Sequence, residues 1–266
     1  MKLKTSVKQQ FLSHFMMVIS ASLAACLVLS IYYICIAAHY ANEPVGAIMV
    51  ADGYDILFVF IMIFSAFYYY KSELNLCFQL SNSKTGLFIS KLITGLSASA
   101  ACSVISVAFC FGVNSICRNI INTSSFHIEL RPFFTETMYY KDYHTNYFFG
   151  QANNTEKILF GIIMMLFASF AVYVFCLFIA SLFYRFNLLA KILIVFIPII
   201  LINVGIPIVD MFATKGTLSE GYLNFIHTLY GMTYKSPLIC CMISVGIAIL
   251  FSAVLYVVMK KSQIRK

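Results

Sequence analysis

Tryptophan is absent from this chain, and charge is scarce. Only 11% of its 266 residues are Asp, Glu, Lys or Arg, against about a quarter in an ordinary soluble domain. With 61% of the residues hydrophobic and a mean hydropathy of +0.89, a water-soluble fold could not cover its own surface. No C-x-x-C pair occurs among the nine cysteines. Cys26, Cys35, Cys102, Cys110, Cys176, Cys240 and Cys241 all fall in apolar stretches, where a thiol behaves as a small hydrophobe, so neither a structural zinc site nor a secreted disulfide scaffold is indicated. There is no G-x-x-x-x-G-K-[ST] loop to cradle nucleotide phosphates, and no paired carboxylates or H-E-x-x-H helix to support an intramembrane enzyme. The formal charge of +8 lies in short clusters beside apolar runs, without the aromatic-interleaved basic surface that nucleic acid would need.

What is present is a series of apolar runs. A bilayer crossing takes about 20 apolar residues. The sequence therefore predicts an all-α polytopic membrane protein with a single domain over 1–266 and about six transmembrane helices, near 15–38, 54–76, 89–113, 158–183, 188–209 and 238–259. The first run exceeds a signal-peptide core of about 7–15 residues and reads as an uncleaved anchor. The second has only a short purely apolar stretch and must borrow flanking residues to cross.

Orientation follows from Lys and Arg, which resist translocation. Twelve of the eighteen lie in the N-terminus, in 71–91, in the tight turn at Arg185 and Lys191, and in the tail. Nine of the ten acids lie in the alternate loops, with Glu73 the exception, so both termini are expected on the cytoplasmic side. Tyr68, Tyr69, Tyr70 and Tyr184 stand where an interfacial aromatic belt would need them.

Three local patterns bear on function. In the third run Gly95, Ser99, Ser103 and Ser106, flanked by Ala98 and Cys102, form a stripe of small residues; close helix packing is the plainer reading and a polar substrate lining the other. In the fifth, Asn203, Gly205 and Pro207 predict a break lining one end of a pathway, because Pro207 withholds a backbone donor. The aromatic and polar loop 114–156 predicts a small packed extracytoplasmic cap; His127, Glu129 and His144 within it match no metal-ligand spacing.

The cores of the first, third, fourth and sixth runs hold no Asp, Glu, Lys, Arg or His, whereas ion-coupled carriers place such groups near the midplane, so ion-driven transport is disfavoured. The segment 71–91 carries Leu80, Leu87 and Phe88 around a polar turn with Asn82, Ser83 and Lys84, the pattern of a short interfacial helix leading into the next span. Glu73, Leu80, Asn82-Ser83-Lys84, Leu87-Phe88 and Lys91 together resemble a motif between the second and third spans of bacterial ABC-2-type transporter permeases. The six-span plan and the basic N-terminus agree with that family across nearly the whole chain; the long loop 114–156 departs from its compact members. The resemblance implies a multi-pass protein of the bacterial cytoplasmic membrane, with no cofactor of its own, whose coupling residues Leu80, Asn82, Ser83, Lys84, Leu87 and Phe88 dock on a separate ATP-binding cassette subunit. It also implies a second permease chain, identical or homologous, and export of an amphipathic peptide, lipid-like molecule or drug. The alternative is a non-transport membrane protein, a sensor or assembly factor, that uses 114–156 for recognition.

Overall fold

The computed structural model describes residues 2–40, 48–52, 54–79, 84–121, 127–131, 154–186, 205–210 and 237–260, with scattered positions between 197 and 224. The long elements are α1 (Lys2–Tyr40), α2 (Ile56–Gln79), α3 (Lys84–Ile121), α4 (Asn154–Arg185) and α6 (Pro237–Lys260). A short helix, α5, covers Ile206–Val209, and two strands, β1 (Ile48–Asp52) and β2 (His127–Arg131), follow α1 and α3. Four stretches are long and apolar enough to cross a membrane: Leu12–Ile36, Lys84–Val113, Leu159–Tyr184 and Leu238–Lys260. In α2 the apolar part Ile56–Tyr68 is shorter, but the helix as a whole runs 24 residues, about 36 Å at 1.5 Å per residue. The expected fifth span, 188–209, lies outside the described residues except for scattered positions and α5.

Side-chain contacts fix the helix directions. One core cluster joins Val18, Met62, Leu87, Tyr173, Leu177 and Leu255; a second joins Tyr33, Tyr54, Phe58, Phe109 and Met165. The first therefore gathers the N-terminal halves of α1 and α3 with the C-terminal halves of α4 and α6 and with Met62 and Ala66 of α2; the second gathers the C-terminal parts of α1 and α3 with Met165 of α4 and with Tyr54 and Phe58, which precede Met62 along α2. So α1 and α3 run one way and α2, α4 and α6 the other. Lys84 and Lys260 lie together at what we call the basic end of the bundle.

Those directions account for the strands. β1 and β2 pair in parallel, Ile48 opposite His127 and Asp52 opposite Arg131, because each follows the far end of one of two helices that run the same way. Parallel strands need a long crossover between them, which α2 and α3 supply. This pair is an addition to the all-helical expectation. The loop expected from residue 114 also begins later, since α3 continues to Ile121; His127 and Glu129 fall in β2, and His144 lies outside the described residues.

The small-residue stripe on α3 is a packing seam. Ser99, Ser103 and Ser106 are buried, Ser103 Oγ donates to its own helix at the Ala100 carbonyl (2.9 Å), and Ser22 Oγ of α1 lies 3.3 Å from Cys102 Sγ. At the other end Tyr54 donates its hydroxyl to the Ser106 carbonyl (3.2 Å) and packs on Phe109, tying the start of α2 to α3. Such close approach through Gly, Ser and Cys is how helices associate where lipid offers no hydrophobic drive.

Candidate functional site

The residues singled out between the second and third spans converge on the basic end. No separate interfacial helix precedes α3 among the described residues: 71–79 completes α2, which has no Gly or Pro to stop it there, and Lys84 already opens α3. Leu80, Asn82 and Ser83 lie outside the described residues. Leu87, expected as an anchor offered to a partner, is only 2% exposed and belongs to the chain's own core. Phe88 is half-buried, its ring 5.3 Å from that of Tyr256 on α6. The outward positions of this turn are Thr85 and Ile89.

Lys84 donates from Nζ to the carbonyl of Lys260, the last residue of α6, at 3.1 Å. The last carbonyls of a helix have no intrahelical partner and carry the negative end of its dipole. A lysine at the start of α3 opposes its own helix dipole but complements that of α6. With the Phe88–Tyr256 contact one turn deeper, this makes a two-point clasp between the two helices.

Behind the clasp sits a buried polar cluster drawn from three helices. His14 of α1 is fully buried, its ring 5.7 Å from the ring of Tyr173 on α4. Lys91 of α3 is 2% exposed and lies within electrostatic range of His14. Thr94 is buried one turn further, its hydroxyl without a hydrogen-bond partner among the described residues. Gly95 lies against the Tyr173 ring so closely that any side chain there would overlap it.

This cluster joins residues that the sequence places at the ends of the first and third apolar runs. Lys91 is seven residues into α3, about 10 Å along its axis, and His14 lies in the first turn of the apolar stretch Leu12–Ile36. The signal was present as spacing: Lys91, Gly95, Ala98 and Cys102 continue the stripe backwards at helical intervals, and His14, Val18 and Ser22 form the facing one.

Of the expected pathway break, Asn203 lies outside the described residues. Gly205 and Asp210 have right-handed helical backbone and bracket α5, with wider, π-type turns at both positions. Pro207 sits in the first turn of α5, where its missing N–H costs nothing. At its described residues the break is a short helix edged by wide turns rather than unwound chain.

The long apolar helices mark this as a membrane protein. No family model, no curated protein and no solved structure matches the chain.

Proposed function

We propose that the chain is the membrane-spanning permease subunit of an ATP-driven, ABC-2-type exporter for an amphipathic peptide, lipid-like molecule or drug, working with a separate ATP-binding subunit and a second permease chain in the cytoplasmic membrane. The observation that carries the reading is the alternation of helix directions. α4 and α6 run the same way, so the chain between Arg185 and Pro237 has to return from the basic end to the other, an odd number of crossings. One crossing there gives six spans with both chain ends at the basic end, the end that the Lys and Arg asymmetry assigns to the cytoplasm.

The motif that resembles a coupling segment falls at that same end, where α2 finishes, α3 starts and α6 finishes. A push delivered at Lys84 reaches α6 through the clasp and α1 and α4 through Leu87 and the polar cluster. Because Leu87 serves the intramolecular core, the docking contacts fall to Thr85, Ile89 and the residues just before Lys84.

Affinity purification from native membranes, with mass spectrometry of the co-purifying proteins, tests the reading. The expected partner carries a G-x-x-x-x-G-K-[ST] loop and hydrolyses ATP faster when an amphipathic peptide is added. Thr85→Arg with Ile89→Ala should release it and leave the fold intact. Leu87→Ala instead removes buried core, a loss of about 2–5 kcal/mol. Absence of any nucleotide-binding partner would leave the sensor or assembly-factor reading, which the ordered β1–β2 pair favours.

A further inference from the structure

An apolar groove lies between α3 and α6, with α4 as its floor. It measures about 590 Å³ and is lined on α3 by Phe88, Leu92 and Leu96, on α6 from Val245 to Tyr256, and below by Phe167 and Phe170. Ligand sites of ordinary size occupy about 300–1,000 Å³. Its lining contains no acid, and Ser252 and the Tyr256 hydroxyl are its only polar side-chain groups. Along α6 it runs from Val245 to Tyr256, about 17 Å at helical rise, close to half the ~30 Å hydrocarbon core of a bilayer. A groove one leaflet deep fits one lipid, with the headgroup at one end and the chain along its length.

Charge selects the headgroup. Helical spacing continues the α3 wall, Leu96, Leu92, Phe88, to Lys84, and the α6 wall, Ser252 and Tyr256, to Lys260. The Lys84 ammonium reaches the backbone carbonyl of Lys260, so the groove ends at a point where both walls continue into a lysine. Basic pockets between transmembrane helices at the membrane surface recognise anionic lipid headgroups. We propose that the α3–α6 groove is a binding site for one anionic phospholipid, its acyl chain against Phe88, Leu92 and Phe170 and its phosphate at Lys84 and Lys260. This site does not depend on the transporter reading: a sensor or an assembly factor could carry it equally.

Native mass spectrometry on the full chain, purified in mild detergent, stripped of lipid and titrated with phosphatidylglycerol or phosphatidylcholine of identical chains, tests the proposal. The wild type should retain one phosphatidylglycerol per chain in clear preference to phosphatidylcholine. Each lysine near the headgroup contributes about fivefold, so Lys84→Gln with Lys260→Gln should reduce the preference by about twentyfold or more while phosphatidylcholine binding persists. Ala253 is exposed on the groove rim, and Ala253→Phe should eliminate both adducts with the melting temperature unchanged. If that variant melts early, Leu96→Trp, at another exposed position, fills the groove from the opposite wall. Equal retention of the two lipids by the wild type, a preference that survives loss of both lysines, or adducts that survive both groove fillers would each overturn the site and leave ordinary annular lipid.

Discussion

Substituting Gly95 with alanine sets two well-understood effects against each other, and the structure decides between them. In an isolated helix the change should stabilise by about 1 kcal/mol, because glycine gives up the most backbone freedom. In this bundle a methyl at residue 95 overlaps Cδ1 and Cε1 of Tyr173 and stands 3.0 Å from its Cζ. The ring has no room to retreat: it is fully buried and faces His14 on another side. Relief requires α3 and α4 to part by about 1 Å or more along a close-packed seam, and overpacking of this kind costs about 1–3 kcal/mol, more where nothing yields. We therefore expect Gly95→Ala to lower the melting temperature by roughly 3–10 °C. A fluorogenic thiol dye reads this in detergent, since Cys102 and Cys176 are free and buried and react only on unfolding. Gly112 and Gly246 supply the control: a methyl at either meets nothing within 4 Å, so alanine there should leave the melt unchanged or raise it. Tyr173→Phe should not rescue Gly95→Ala, because the overlap is with ring carbons; Tyr173→Leu should, with a coupling energy of about 1–3 kcal/mol in the double-mutant cycle. A Gly95→Ala protein as stable as the Gly112→Ala control, or an equal penalty on the Tyr173→Leu background, would refute the packing argument.

Three further outcomes follow from particular contacts. Ser99→Ala should be neutral or stabilise by up to about 1 kcal/mol in the same melt, because the Ser99 hydroxyl is buried without a hydrogen-bond partner among the described residues and a buried unsatisfied group is costly. Tyr54→Phe deletes the 3.2 Å bond to the Ser106 carbonyl and should destabilise by about 1 kcal/mol, the net worth of one hydrogen bond to a carbonyl that keeps its helical donor. For orientation, Asn82→Cys and Asn187→Cys should resist an impermeant thiol reagent in intact cells while Asn146→Cys and Ser219→Cys react, all in a Cys117→Ser background; labelling at residue 82 from outside would reverse the assignment.

The helices were legible because hydropathy measures compatibility with lipid, and 158–183 and 238–259 nearly coincide with Leu159–Tyr184 and Leu238–Lys260. The same measure misplaces helix ends. α2 continues to Gln79 and α3 to Ile121 through polar residues that a helix accommodates but lipid does not. The seam through Gly95, Ser99, Ser103 and Ser106 was legible as spacing, and what it packs against was not: Tyr173 is one aromatic among many in α4, and only the fold brings it over Gly95. Leu87 shows the limit most clearly. An apolar residue beside a polar turn reads equally well as a docking anchor or as core, and only the burial chosen by α3 separates the two. The parallel pairing of β1 with β2 was out of reach for a related reason, since it depends on α1 and α3 running the same way, a relation between elements that no local pattern encodes.

The buried His14 and Lys91 raise the question of ion-driven transport, and helix length bears on it directly. The apolar stretch Lys84–Val113 of α3 has 30 residues, about 45 Å, against a hydrocarbon core of about 30 Å. Centred in the bilayer it leaves roughly 7 Å outside the core at each end, and Lys91, about 10 Å from its start, falls close to the boundary. His14 lies at the level of Lys91, as Ser22 lies at the level of Cys102. α1 is therefore shifted toward the basic end, and its first turns, with Lys2, Lys4 and Lys8, extend beyond the hydrocarbon. Ion coupling would need titratable groups where the core is thickest, and α3 from 92 to 113 contains none, nor do the middle turns of α1, α4 and α6. The cluster is thus better suited to holding α1, α3 and α4 in register at the end where α2, α3 and α6 meet than to carrying an ion between the two sides.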